Sequence, residues 1–146
     1  MFRNLEYLCI ALFGAAAYGS IEIMWRGYTH PSMVITGGLC ILMIHMINHG
    51  LSQLKRPVRW ILCSLGITAV EFIVGVIVNI VLKLNVWDYS GELFNILGQV
   101  CPAFTFAWLL LSVPACYFSD LVKKLFLYLE KREQGDGVKL TKMAKL

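Results

Sequence analysis

The feature that most constrains this chain is a set of four long apolar runs, at about residues 5–24, 33–53, 60–82 and 100–120. Each run is close to the ~20 residues that a helix needs to cross about 30 Å of hydrocarbon. Hydrophobic residues make up 58% of the 146-residue chain and charged residues 15%, which are too few to coat a soluble globule. The sequence therefore predicts an all-α polytopic membrane protein, a bundle of four transmembrane helices.

The bundle is predicted to form one domain over residues 1–133. After the fourth run, residues 121–132 mix apolar side chains with basic ones. This pattern predicts a short amphipathic C-terminal extension at the membrane surface. Residues 134–146, with two glycines and three lysines, predict a flexible basic tail.

Basic residues are distributed unequally between the two sides of such a bundle. Of the 13 lysines and arginines, only Arg26 and Lys83 fall on the side opposite both termini. Membrane proteins retain basic residues on the cytoplasmic side. We therefore expect a multi-pass protein of the inner (cytoplasmic) membrane with both termini in the cytoplasm. Its positive charge is expected to face the lipid bilayer and not nucleic acid.

The cysteines and histidines do not form a recognisable metal site. The five cysteines are odd in number, lack a CxxC spacing and read as small packing residues within the apolar runs. His45 and His49 lie four residues apart, but a metal would need further ligands that the sequence does not supply. The sequence predicts neither a metal nor another cofactor.

Polar residues within the apolar runs recur on one face of each helix. Because polar groups are costly against lipid, these faces are predicted to line the bundle interior. Arg26 follows Glu22 by one helical turn and is expected to pair with it. The candidate intramembrane polar site comprises Glu22, His45, His49, Glu71 and Asn79.

Glu71 is the most informative member of this set because it lies at the centre of the third run. Counting residues from the centre of each run places His45 within about 3 Å of the depth of Glu71, so the two are candidates to touch. We expect Glu71 to be either protonated or paired with His45 or His49. Two interpretations remain open: a site that coordinates a proton or solute, and a buried carboxyl group that fixes helix register.

The segment between the third and fourth runs carries a polar and aromatic cluster, and it too has two interpretations. Trp87 and Tyr89 could be ordinary interfacial anchors, with Asp88 and Ser90 capping a turn. Alternatively, the segment forms an outer lid over the polar site. The candidate lid residues are Trp87, Asp88, Tyr89, Ser90 and Asn95.

These motifs resemble those of a family of small bacterial membrane proteins named putative ABC-transporter permeases of type IV (CmpB-type). The resemblance covers roughly residues 14–112, and Asn79 stands where many members carry a second acid. It rests on Gly19-Ser20-Ile21-Glu22, Arg26-Gly27-Tyr28, Glu71, Val86-Trp87-Asp88-Tyr89-Ser90 and Phe94-Asn95-Ile96-Leu97-Gly98-Gln99-Val100-Cys101.

The resemblance implies a permease-like subunit for a small solute. The sequence has no GxxxxGK[ST] loop, so a separate ATPase subunit would have to bind any ATP. The alternative is a non-transporting membrane protein, such as a scaffold, a regulatory partner or a phage-type permeabilising protein, whose polar stripes are structural. An enzyme is not expected, because no nucleophile motif accompanies the acidic residues. Four helices enclose little volume, so we expect a homo-oligomer or a larger membrane complex.

Overall fold

The computed structural model describes residues 2–143 and is helical throughout its length except at the connections. The four helices are α1 (Phe2–Arg26), α2 (Pro31–Gly50), α3 (Arg56–Gly75) and α4 (Pro102–Met143). A π-helical turn, Val76–Val81, continues α3 without a break. No strand occurs within residues 2–143. The all-α prediction is confirmed.

All four helices are long and apolar enough to cross a membrane. The candidate spans are Arg3–Arg26, Pro31–Gly50, Arg56–Val81 and Pro102–Gln134. Each includes most of one apolar run identified in the sequence, so the prediction of a multi-pass membrane protein is confirmed. We call the end of the bundle with both termini the terminal side and the opposite end the loop side.

Helices α1 and α2 form the most closely packed pair because small residues face each other across it. A Cβ atom at Gly14 would lie 2.7 Å from the backbone oxygen of Gly37, and one at Gly37 would lie 2.7 Å from that of Gly14. Glycine at both positions therefore lets the two backbones approach directly. The short connection reverses at Gly27, whose φ of 81° favours glycine.

The core between the helices is apolar, and cysteines fill part of it. Ile10, Ile41 and Ile67 bring three helices together around Cys63 and Cys116. Cys40, Cys63, Cys101 and Cys116 are all buried, as expected of packing residues, whereas Cys9 is exposed on the outer face of α1.

Helix α4 extends well beyond the fourth apolar run. It continues from Pro102 to Met143, so the predicted amphipathic extension is the second half of one long helix. Residues 134–143 of the predicted flexible tail are also helical, and residues 144–146 lie outside the described residues. Phe126 of this extension is buried, which fixes the start of the extension to the bundle.

Candidate functional site

Glu71 lies at the centre of the bundle, where three helices meet. Only 2% of the residue is exposed, and both carboxylate oxygens accept a short hydrogen bond. The Tyr18 hydroxyl of α1 donates to Oε1 at 2.6 Å, and the Trp108 indole Nε1 of α4 donates to Oε2 at 2.6 Å. The two aromatic rings also stack, with centroids 5.6 Å apart. The carboxyl group thereby links α3 to α1 and α4.

The π-helical turn that follows holds the next polar side chain, Asn79. Wider turns of this kind often occur at functional sites because they displace side chains from the regular helical positions. Asn79 Oδ1 accepts from the backbone N–H of Val86 at 2.6 Å, and Nδ2 donates to Gln99 Oε1 at 2.7 Å. Trp87 Nε1 in turn donates to the Gln99 carbonyl at 2.9 Å. Asn79 therefore anchors both ends of the segment that joins α3 to α4.

This segment, residues 82–101, is also attached to the end of α1. Arg26 donates to the Val86 carbonyl at 2.6 Å with Nη1 and to Glu22 Oε1 at 2.6 Å with Nη2. The second oxygen of Glu22 accepts from the Thr29 hydroxyl. The expected pairing of Glu22 with Arg26 is confirmed. The pair connects α1 to the loop as well as neutralising charge at the membrane boundary.

Within the loop, short-range hydrogen bonds hold the polar residues of the predicted lid. Asp88 Oδ1 accepts from the backbone N–H and the hydroxyl of Ser90, and these bonds hold the pKa of Asp88 below its usual range. Asn95 donates to the carbonyls of Ser90 and Glu92, while its own Oδ1 accepts from the N–H of Gly98. Asp88 and Ser90 therefore do form the capped turn that one interpretation of the sequence predicts.

The loop also roofs a cavity of about 560 Å³ on the loop side of the bundle. Its walls include Glu22 and Arg26 of α1 and Trp87, Asp88 and Tyr89 of the loop. Tyr18 and Trp108, which hold Glu71, line it as well. Tyr89 stacks on Phe104 with centroids 4.3 Å apart, and burial raises the pKa of its hydroxyl, so the ring stays neutral. A volume of this size is within the range of small-molecule sites.

A second polar cluster lies on the terminal side, around His45. This residue is 2% exposed and bridges Glu6 of α1, at 3.1 Å from Nε2, and the Ser119 hydroxyl of α4, at 2.8 Å from Nδ1. Lys123 Nζ lies 3.3 Å from the other oxygen of Glu6. His49 Nε2 lies 3.1 Å from the same Ser119 hydroxyl.

The end of α2 is fixed by a neighbouring set of contacts. Arg59 donates to the carbonyl and the side-chain oxygen of Asn48, at 2.6 and 2.7 Å. Asn48 Nδ2 donates to Asp120 Oδ1 at 2.7 Å, which ties α2 and α3 to α4. His49 Nε2 lies 3.9 Å from the same oxygen of Asp120.

The expectation that Glu71 contacts His45 is wrong. Tyr18 and Trp108 donate hydrogen bonds to Glu71, whereas His45 is hydrogen-bonded to Ser119 and lies 3.1 Å from Glu6 Oε1. The reason lies in the helix bounds. Counted from the centres of Pro31–Gly50 and Arg56–Val81, Glu71 lies toward the loop side and His45 toward the terminal side, about 10 Å apart in depth. The predicted set thus divides into two. Glu22 lines the cavity, and Glu71 and Asn79 contact residues that line it. His45 and His49 belong to the separate cluster on the terminal side.

Comparison with known proteins was made by family, by curated sequence and by solved structure. The profile of the family described as Putative ABC-transporter type IV matches residues 17–135, well over half of the chain. The chain belongs to this family. No curated protein and no solved structure gave a match to this type IV family member. The matched region includes the whole cavity and Glu71, whereas Glu6 precedes it.

The polar partners in this type IV family member that were not among the candidates from the sequence include Glu6, Tyr18, Gln99 and Trp108. Tyr18 could have been found, because it lies one turn before Glu22 on α1. Trp108 could also have been found, because it lies on the polar face of α4. Gln99 had no signal of its own in a segment without helical periodicity. Glu6 lies near the start of α1, where an acidic residue is expected at the membrane interface.

Proposed function

We propose that this protein is a permease-like membrane subunit and that the cavity beneath the loop is its binding site for a small solute. The family and the four apolar helices fit a membrane transport component. The observation that carries the proposal is the position of Tyr18 and Trp108. Both line the cavity, and both donate a hydrogen bond to the buried carboxyl group of Glu71. A solute that displaces either ring would therefore alter the environment of Glu71.

The loop is proposed to act as a lid in this cycle. It touches the helices through a few defined polar contacts, from Arg26 and Asn79 to Val86 and Gln99. It also packs against them where Val86 meets Met33 and Val78 and where Tyr89 stacks on Phe104. Opening breaks these contacts while the helices stay packed. Each lost hydrogen bond costs about 0.5–1.5 kcal/mol, somewhat more where Arg26 donates, and the loss of the apolar contacts adds to that cost.

The topology and partners are also part of the proposal. The excess of basic residues on the terminal side supports an inner-membrane protein with both termini in the cytoplasm, which puts the cavity and loop on the outer side. A separate ATPase subunit would then dock at the terminal side, where α4 extends beyond the bundle. We expect the working unit to be a homo-oligomer or a larger complex in the lipid bilayer.

A second candidate function is structural, and one observation favours it. Both oxygens of Glu71 and both oxygens of Glu22 are already hydrogen-bonded inside the protein. Such networks can serve only to fix helix register in a scaffold or regulatory membrane protein.

The test is native mass spectrometry of the protein extracted gently from its own host, comparing the wild type with Glu71→Gln. The amide can keep the fold, because its oxygen can accept from Trp108 while its N–H₂ group donates to the Tyr18 hydroxyl. Thr68→Val is the matched control. It removes a half-buried hydroxyl one turn away on α3, which donates to the Ser64 carbonyl and bonds to Thr105 and does not line the cavity.

A small solute or ATPase subunit that is present in the wild type and in Thr68→Val but lost in Glu71→Gln would support the transport function. A homogeneous homo-oligomer that carries only lipid in all three samples would contradict it and favour the structural function. In that case, Glu71→Gln should change the stability or the oligomeric state instead.

A further inference from the structure

We propose that the cavity beneath the loop binds an organic ammonium ion that carries an apolar chain. The inference rests on the proposed function only in taking this cavity as the solute site. It is drawn from the chemistry of the cavity walls.

The walls are rich in aromatic rings. Seven of the sixteen lining residues are aromatic, and they come from α1, from the connection between α1 and α2, from the loop and from α4. Trp25, Trp87 and Trp108 contribute one indole ring each from α1, the loop and α4. Aromatic faces are negative, so several rings around one space favour an ammonium group, most strongly one whose methyl groups make it easy to desolvate.

The charges of the lining favour a cation as well. Glu22, Arg26 and Asp88 are its ionised side chains, an excess of one negative charge. Arg26 is already committed, since it donates to Glu22 and to the Val86 carbonyl. Asp88 is exposed, and the Ser90 bonds occupy its Oδ1 only. An anion would therefore meet ring faces and a carboxylate, whereas a cation would meet an ionised partner.

The protein itself places one cation on these rings. The Arg26 guanidinium lies over the Tyr28 ring, with its central carbon 4.8 Å from the ring centroid. Both residues line the cavity. Arg26 thus combines an ion pair with Glu22 and a cation–π contact with a ring of the cavity wall.

An apolar crevice of about 310 Å³ continues from the cavity toward the middle of the membrane. The two spaces share Tyr18, Ile21, Trp108 and Leu111, and the crevice ends near Phe13 and Phe118, whose rings stack at 3.9 Å. It runs between α1, α2 and α4, and its lining is almost wholly apolar. A head group in the cavity would thus leave room for an alkyl chain in the crevice.

The ammonium group could belong to a free amphiphilic cation or to the head group of a membrane lipid. The probe is tritiated decyltrimethylammonium, measured by scintillation proximity on the full chain in nanodiscs of phosphatidylglycerol, which contain no ammonium group. Unlabelled tetramethylammonium and decyl sulfate serve as competitors. The first has the ammonium group without the alkyl chain, and the second has the alkyl chain without the ammonium group. Phosphatidylcholine added to the nanodiscs distinguishes the lipid source from the free cation.

We expect saturable binding that decyl sulfate does not displace and that tetramethylammonium displaces only weakly. Asp88→Asn should weaken binding by about 1.5-fold to 5-fold, the range of one exposed charge contact. Trp25→Leu should weaken it by about 2-fold to 5-fold, the range of one exposed cation–π contact. Glu92→Gln and Tyr128→Leu are the matched controls. They alter an exposed acid of the same loop and an exposed aromatic residue of α4, neither of which lines the cavity.

No saturable binding, equal displacement by decyl sulfate, or equal binding by the wild type, Asp88→Asn and Trp25→Leu would each overturn the inference. The transport proposal would survive that result if a different solute depended on Glu71. Conversely, the binding assay could give the expected pattern while native mass spectrometry finds no solute and no partner. That combination would support ammonium recognition and count against transport. Full competition by phosphatidylcholine would identify the head group of a lipid as the source.

Discussion

Replacing Gly75 by alanine measures how tightly the loop is seated on the third helix. Gly75 is the last residue of α3 before the π-helical turn. A Cβ atom at this position would lie 2.6 Å from Gln99 Oε1, 2.9 Å from Trp87 Cζ2 and 3.0 Å from Gln99 Cβ. Contacts this short are not tolerated by real side chains, so the loop has to move away from the helix.

These contacts set the free-energy cost of the Gly75→Ala change for loop docking. Overpacking of a closely fitted site costs about 1–3 kcal/mol. That cost includes the strain that a displaced Gln99 puts on its hydrogen bond from Asn79. The helix propensity gained by alanine stabilises α3 but not the docking of the loop. We therefore expect loop docking to weaken by about 1–3 kcal/mol, which corresponds to an increase of about 5-fold to 150-fold in the open population.

Hydrogen–deuterium exchange of the protein in nanodiscs provides the assay. The N–H group of Val86 donates to Asn79 Oδ1 across the contact between the loop and the third helix, so its exchange reports opening. Gly66→Ala is the control. It lies on the same helix, but its Cβ would meet the flexible end of the Met43 side chain, 2.7 Å from Sδ, which can turn aside. Equal loop exchange in the two variants would refute the argument that the loop is seated on Gly75.

Three further changes test other parts of the structure. Gly98→Ala should destabilise the loop by about 1–2 kcal/mol, because the φ of Gly98 is 68° and a Cβ atom there would lie 2.6 Å from Ser90 Oγ. Tryptophan fluorescence should then report unfolding of the loop at a lower denaturant concentration. Since the pKa of Asp88 is lowered by folding, its contribution is present above its ordinary value of 3.8 and lost as pH falls through the folded value. Asp88→Asn should therefore make the stability of the loop, followed by tryptophan fluorescence, depend less on pH at the acid end. Lys123→Ala should cost about 1–3 kcal/mol by leaving Glu6 with one fewer partner, and adding Glu6→Gln should recover part of the thermal stability; no recovery would contradict the pairing.

The sequence predicts the membrane helices well because length and hydropathy are local properties. It also places Glu22 beside Arg26, since a spacing of four residues fixes that contact within one helix. Contacts between helices depend on tilt, rotation and exact ends, which no local pattern contains. Glu71 was therefore assigned the wrong neighbour, although its burial was expected.

The loop shows a different limit. Trp87 and Asp88 stand out by residue type, but their positions depend on residues in unusual backbone conformations. Lys83, Asn85, Phe94 and Leu97 all have positive φ, and three of these are not residue types that signal such turns. Tertiary contacts, such as those from Arg26 and Asn79, help to stabilise that path. A prediction from propensity cannot supply them.

The π-helical turn at Val76–Val81 has a mechanical consequence for the coupling between membrane and loop. Its ladder runs from residue i to i+5, as in the bond from the N–H of Leu82 to the carbonyl of Ile77. A slip of that ladder by one residue would restore an ordinary α-helix and rotate the following residues by about 100°. Asn79 would then turn away from Val86 and Gln99, and the loop would lose its anchor on this helix. A change of register in this turn would therefore be coupled to the seating of residues 82–101 on the third helix.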